Sequence, residues 1–159
     1  MAMNAHEMPQ PPDDAVMFWD GHPFSNFEPS PITLACPFTG QPREYATVEH
    51  YFQACKATAL EDHVHVAAQP SPLEAKTAGR AVALRPDWQE RKYDVMVTAL
   101  RAKFALPQFR DALLATGDRP IAEDSPYDFE WGIRDANGGY TGNNLLGKAL
   151  MEVRAGLRA

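Results

Sequence analysis

The chain is 159 residues long, with 45% hydrophobic and 23% charged residues, the proportions of an ordinary globular domain, so a disordered, collagenous, coiled-coil or disulfide-stapled protein is excluded. Its formal net charge of −6 disfavours a surface that coats a nucleic-acid backbone, and no apolar run reaches the ~18–20 residues of a membrane helix. Two cysteines, Cys36 and Cys55, and an N-terminus without an apolar signal region suit a reducing, cytoplasmic setting with no membrane partner.

Residues 1–14 are polar and proline-bearing and read as a disordered leader, followed by one domain over 15–159. Val16–Trp19 reads as a short strand, and Ile32–Cys36 as a second after a proline-rich stretch. Thr47 is a good N-cap for a first helix, whose apolar stripe runs through Val48, Tyr51, Phe52, Cys55 and Ala59. Ser71, Pro72 and Glu74 start a second helix that reaches about Leu84, and its small stripe of Ala75, Ala78, Gly79 and Val82 permits close approach of a neighbour.

Asp87 and Glu90 repeat the cap-and-return spacing before a longer helix with its core stripe at Tyr93, Met96, Val97, Leu100 and Phe104. Pro107 opens a further helix that stops at Gly117. Short strands are expected near Ile121–Glu123 and Glu130–Ile133, and Asn143 or Asn144 caps a last helix with Leu146, Leu150, Val153 and Leu157 aligned. The expected class is mainly α with a small β element, an α+β fold.

Charge is unevenly distributed. Residues 76–110 hold eight bases against three acids, and residues 111–135 hold seven acids against two bases. No histidine–cysteine spacing suits a metal, and no glycine-rich phosphate loop or nucleophile elbow occurs, so neither a metal nor a cofactor is expected. On the first helix Glu49, Gln53 and Lys56 recur at i, i+4 and i+7 and share one stripe. Taken alone, that spacing also fits a surface ion pair at a helix start, as Trp88 and Trp131 also fit a core.

The blocks PFSNFEPSP (23–31), TVEHYFQACK (47–56), SPLEAKTAGR (71–80), RPDW (85–88), LLATGDRPIAEDSPYDFEWG (113–132) and GNNLLGKALMEVR (142–154) together resemble the NADAR family, the NAD- and ADP-ribose-associated domain, in its YbiA-type branch. The resemblance implies a multihelical domain with N-glycosidase activity. For this branch it implies cleavage of phosphoribosylamino-pyrimidine intermediates of riboflavin synthesis, with release of ribose 5-phosphate. Other members imply removal of ADP-ribose from guanine, and only that alternative would bring nucleic acid as a partner. A non-catalytic ADP-ribose or nucleotide-binding module is the third reading.

Breaking a ribose-to-nitrogen bond builds positive charge on the sugar, so a carboxylate near the anomeric carbon is required. Glu49, in a first helical turn that favours its ionised form, is the expected base. Lys56 is expected to contact the ribose or to attack its open C1 as an imine, and Asp128 or Asp124 to supply a second carboxyl group. Phe27, Trp88 and Trp131 are expected to stack on the base and Asn26 to read its edge. The phosphate is expected on Lys76 or Arg80, helped by the helix start at Asn143 and Asn144.

Overall fold

The computed structural model describes residues 13–135 and 139–159. The leader expected over 1–14 therefore lies outside the described residues, apart from Asp13 and Asp14. In chain order the elements are β1 (Val16–Phe18), β2 (Ile32–Ala35), β3 (Pro42–Tyr45), α1 (Val48–Ala54), α2 (Leu60–Ala67), α3 (Pro72–Ala81), α4 (Trp88–Lys103), α5 (Pro107–Leu114), β4 (Ile121–Glu123), β5 (Arg134–Asp135), β6 (Tyr140–Thr141) and α6 (Leu145–Arg158). The fold is α+β and mainly helical, as the sequence implies. The chain forms two compact units, residues 26–106 and residues 13–25 with 107–159.

In the 26–106 unit, β2 and β3 form an antiparallel hairpin that pairs Ile32 with Tyr45 and Ala35 with Pro42. β3 is not expected from its sequence: a proline opens it and Tyr45 is its one buried residue. Thr47 caps α1 as expected, its Oγ1 accepting from the His50 amide at 3.1 Å. His50 Nε2 donates to the Gln69 carbonyl at 2.9 Å, which leaves Nδ1 to accept the Thr47 hydroxyl at 2.8 Å. α1 stops at Ala54, short of Ala59, and is buried on every side. α2 has no counterpart in the apolar periodicity because one of its core anchors is a histidine. His63 Nδ1 donates to the Ala54 carbonyl at 2.9 Å, so its Nε2 accepts from the Tyr45 hydroxyl at 2.7 Å. Burial keeps the His63 pKa below its ordinary value.

α3 begins at the predicted cap, with Ser71 Oγ accepting from the Glu74 amide at 3.1 Å. It ends before Leu84, because Val82 turns extended and Leu84 bridges to Ala57. Asp87 stands at the start of α4 without capping it. Its carboxylate is instead taken bidentately by Arg85, at 2.6 and 2.9 Å.

In the other unit, β1 and β4 run parallel, Val16 beside Ile121 and Phe18 beside Glu123. α6 lies by β4, and Arg154 of α6 donates to Thr116 Oγ1 at 2.8 Å and to the Arg119 carbonyl at 2.7 Å, closing the loop after α5. The strand expected over Glu130–Ile133 does not form. Asp128 Oδ1 accepts from the amides of Glu130 and Trp131, both at 2.9 Å, and this turn withdraws those amides from any ladder. Ile133 keeps one bridge to Asp124, and the β5–β6 pair follows.

Lys103 ends α4 with no exposed surface. Burial pulls its pKa from 10.5 down to about 7, against the opposing pull of Glu28. Below pH 7 the ammonium is charged in both the folded and unfolded chain and its burial cost is fully present. Between pH 7 and about 10.5 the folded lysine is neutral while the unfolded one still binds its proton, so stability rises with pH. Chemical denaturation of wild type and Lys103→Met across pH 6–10 should therefore show the variant more stable at pH 6, by on the order of a few kcal/mol, with the gap closing toward pH 10. A gap independent of pH would show that Lys103 does not titrate in this range.

Candidate active site

A helix buried all round is ordinarily apolar, yet α1 carries Glu49, His50 and Gln53 with exposures of 7%, 1% and 3%. A buried carboxylate is costly unless hydrogen bonds meet it. Glu49 Oε1 accepts from Gln53 Nε2 at 2.7 Å, one turn along the helix. The Glu49 amide, one of the donors that a helix start leaves without an intrahelical partner, donates to the Asn26 carbonyl at 3.2 Å. Segment 26–28 is thereby joined to the first turn of α1. The first-turn position also favours the ionised carboxylate.

Gln53 can sit between α1 and α3 because residue 79 is a glycine. A β-carbon there would collide with the Gln53 carboxamide oxygen and come within 2.9 Å of Gln53 Cβ. Gln53 was visible in the sequence on the stripe with Glu49, but nothing there gave it a role. The signal that could have done so is the small-residue face of α3, which marks where a neighbour comes close.

Lys56 does not continue the helical stripe. Its amide bonds back to the Gln53 carbonyl in a tight turn, its carbonyl accepts from the Arg85 amide at 2.9 Å, and Ala57 bridges to Leu84. These ties bring residues 84–88 against the end of α1. Lys56 Nζ lies 5.8 Å from the Phe52 ring centroid and 5.9 Å from that of Trp88, and the two rings meet edge to face at 5.0 Å. Trp88 is 5% exposed. Cys55, next to Lys56, is a buried free thiol whose pKa burial pushes up to about 12, which disfavours its thiolate near neutral pH.

Asn26 is buried, its Nδ2 directed to Met96 Sδ at 3.6 Å, and its Oδ1 finds no partner among the described residues. The half-buried Phe27 lies under Lys76, whose Nζ is 6.0 Å from the ring centroid, while Arg80 is exposed. The 26–106 unit therefore holds Asn26, Phe27, Glu49, Lys56, Lys76, Arg80 and Trp88.

The family model described as NADAR domain matches residues 17–158. The chain belongs to the NADAR domain family. Among similar proteins, N-glycosidase Npun_R5314 of Nostoc punctiforme is 41% identical over 143 residues, covering 85% of each chain. N-glycosidase YbiA of Escherichia coli is 37% identical over 135 residues, 82% of this chain and 78% of that one. The chloroplastic riboflavin biosynthesis protein PYRR of Zea mays is 34% identical over 147 residues, 83% of this chain but 23% of that longer protein. The NMR structure of E. coli YbiA matches at a TM-score of 0.76 and 34% identity, covering 99% of this chain and 94% of that one.

The remaining candidates of the NADAR chain lie in the unit of 13–25 and 107–159. Asp124 is exposed, and half-buried Asp128 uses Oδ1 to shape the 128–131 turn. Trp131 is 9% exposed. The amides of residues 143–146 bond to the carbonyls of Phe129, Gly132, Glu130 and Trp131, so they are not available to a phosphate. Asn144 stands at the N-cap in the left-handed region (φ 53°), yet its side chain does not cap α6: Nδ2 reaches the Ile121 carbonyl at 3.0 Å. Asn143 Oδ1 is buried without a partner among the described residues. A groove of about 250 Å³ in this unit, walled by residues such as His22, Phe24, Thr116 and Arg119, contains none of the candidate residues.

In an open helix interior, alanine is about 1 kcal/mol better than glycine. At position 79 the collision with buried Gln53 reverses that sign, and Gly79→Ala should lose about 1–3 kcal/mol in chemical denaturation. In a Gln53→Ala background the same change should be neutral or stabilising. An equal loss in both backgrounds would disconnect Gly79 from Gln53.

Proposed function

We propose that this NADAR chain is an N-glycosidase that hydrolyses the ribose-to-nitrogen bond of phosphoribosylamino-pyrimidine intermediates of riboflavin synthesis, with Glu49 as its central carboxylate. The bond type is that of the similar proteins named N-glycosidase, and the riboflavin connection follows the plant relative's name. The observation that carries the residue assignment is Glu49 itself: a buried carboxylate in the first turn of a helix with no solvent face, accepting from the Gln53 side chain.

Departure of the base leaves an oxocarbenium-like ribose, which a fixed anion stabilises more strongly in a dry site than in water. Glu49 accepts a proton from the attacking water as the water oxygen bonds to C1, the electron pair of the breaking C–N bond goes to the departing nitrogen, and that nitrogen takes up the proton so that the base leaves as the neutral amine. Asn26 Oδ1, buried and without a partner among the described residues, suits an N–H of the pyrimidine. Lys56 suits the ribose or its anion as an ammonium, because the faces of Phe52 and Trp88 favour the cation over the neutral amine that an imine requires. Lys76 is the better placed base for the 5-phosphate, being half-buried where Arg80 is exposed.

General base catalysis contributes roughly 10²- to 10⁴-fold. Glu49→Gln, which keeps the shape and removes the charge, should lower kcat by about that factor and leave KM within a few-fold. The assay is chromatography of released base and ribose 5-phosphate, run in parallel on ADP-ribosylated guanosine. Near wild-type turnover by the folded variant would remove Glu49 from the mechanism. Cleavage of the guanosine substrate alone would reassign the substrate.

A further inference from the structure

Gln53 is a buried polar residue of α1, next to Glu49 on the helix surface, that the mechanism above does not use. Its carboxamide is held from two sides. Nε2 donates to Glu49 Oε1 at 2.7 Å, while Oε1 is buried without a partner among the described residues and lies in the recess left by Gly79. An amide normally turns to satisfy both of its ends. Turning this one would set its oxygen against an ionised carboxylate, acceptor facing acceptor. The NH₂ end must therefore face Glu49 for as long as Glu49 carries its charge, and the oxygen accepts the poorer place against the backbone of α3.

We propose that Gln53 is a positioning residue for the hydrolysis, fixing the orientation of the Glu49 carboxylate, with Gly79 as the recess that holds the amide in place. This deepens the assignment of Glu49 and rests on it. The side chain acts only through Glu49, so its removal should matter to turnover and little to ground-state binding.

The first test is Gln53→Met, which keeps length and removes the donor. With the phosphoribosylamino-pyrimidine as substrate, kcat should fall roughly 10- to 100-fold, the scale of a misplaced catalytic group, with KM within about twofold. In a Glu49→Gln background the same change should alter kcat less than twofold, since no carboxylate remains to be oriented. Multiplying effects, or an unchanged kcat in Gln53→Met alone, would overturn the proposal. Gly79→Ala displaces the same amide without altering α1 and should give the same split between kcat and KM, which keeps the test open should Gln53→Met fold poorly.

A readout independent of turnover is the side-chain carboxyl ¹³C resonance of Glu49, assigned by its absence in Glu49→Gln. It should move in Gln53→Met, and an unmoved resonance overturns the pairing. A moved resonance beside normal turnover of Glu49→Gln would instead fault the catalytic role of Glu49 and leave the pairing standing.

Discussion

The constraint on which the candidate site depends is the burial of a carboxylate on a helix that has no solvent face. All seven residues of α1 are buried, so Glu49 cannot rely on bulk water to stabilise its charge. The stabilisation comes from an amide one turn away, from the field of the helix start, and from a helix N-terminus whose donors are met by Thr47 Oγ1 and the Asn26 carbonyl. Each of these fixes geometry as well as charge. A surface glutamate would have water instead and would hold no particular direction. The packing that makes this carboxylate expensive is thus also what orients it, and catalysis by fixed charge requires that combination.

Close approach of α3 is the second condition. A buried glutamine needs volume, and α3 supplies it by omitting a side chain at position 79, despite the helix propensity that glycine forfeits. A similar trade occurs in the other unit, where Gly147 on the first turn of α6 leaves room for the Ile121 carbonyl and the Asn144 side chain. In both places a helix glycine marks contact with a polar group, and such contacts are less forgiving than apolar ones because a displaced polar group loses its partner.

Local chemistry in the sequence was a good guide where the structure uses it locally. Ser71 and Thr47 cap the helices they were expected to cap, and of the expected α4 stripe Met96, Val97 and Leu100 are buried on the helix, Phe104 is buried just past its end and Tyr93 is half-buried. The differences share a physical origin: a polar side chain takes a partner that the helix and strand patterns do not reveal. Asp87 holds Arg85 instead of capping α4. His63 fills a core position and so hides α2 from apolar periodicity. Asp128 captures two amides and forbids the strand at 130–133. Asn144 reaches Ile121 instead of its own helix. For the site, residue types and the Glu49–Gln53 spacing were legible, but the end of α1 before Lys56 was not. That end is fixed by residues 84 and 85, about thirty positions away in sequence and invisible to any local pattern.

The segment that presents Asn26 and Phe27 shows how a loop can be fixed by several elements at once. Its backbone is tied to α1 through the Asn26 carbonyl and to the end of β3 through the Ser30 amide, which donates to the Ala46 carbonyl at 3.1 Å. Its side chains meet α4 at Met96, through Asn26, and interact electrostatically with Lys103, through Glu28, two helical turns further along. A loop held by one such tie could swing. Held by α1, α4 and β3 together, it keeps Asn26 Oδ1 buried and without a partner among the described residues.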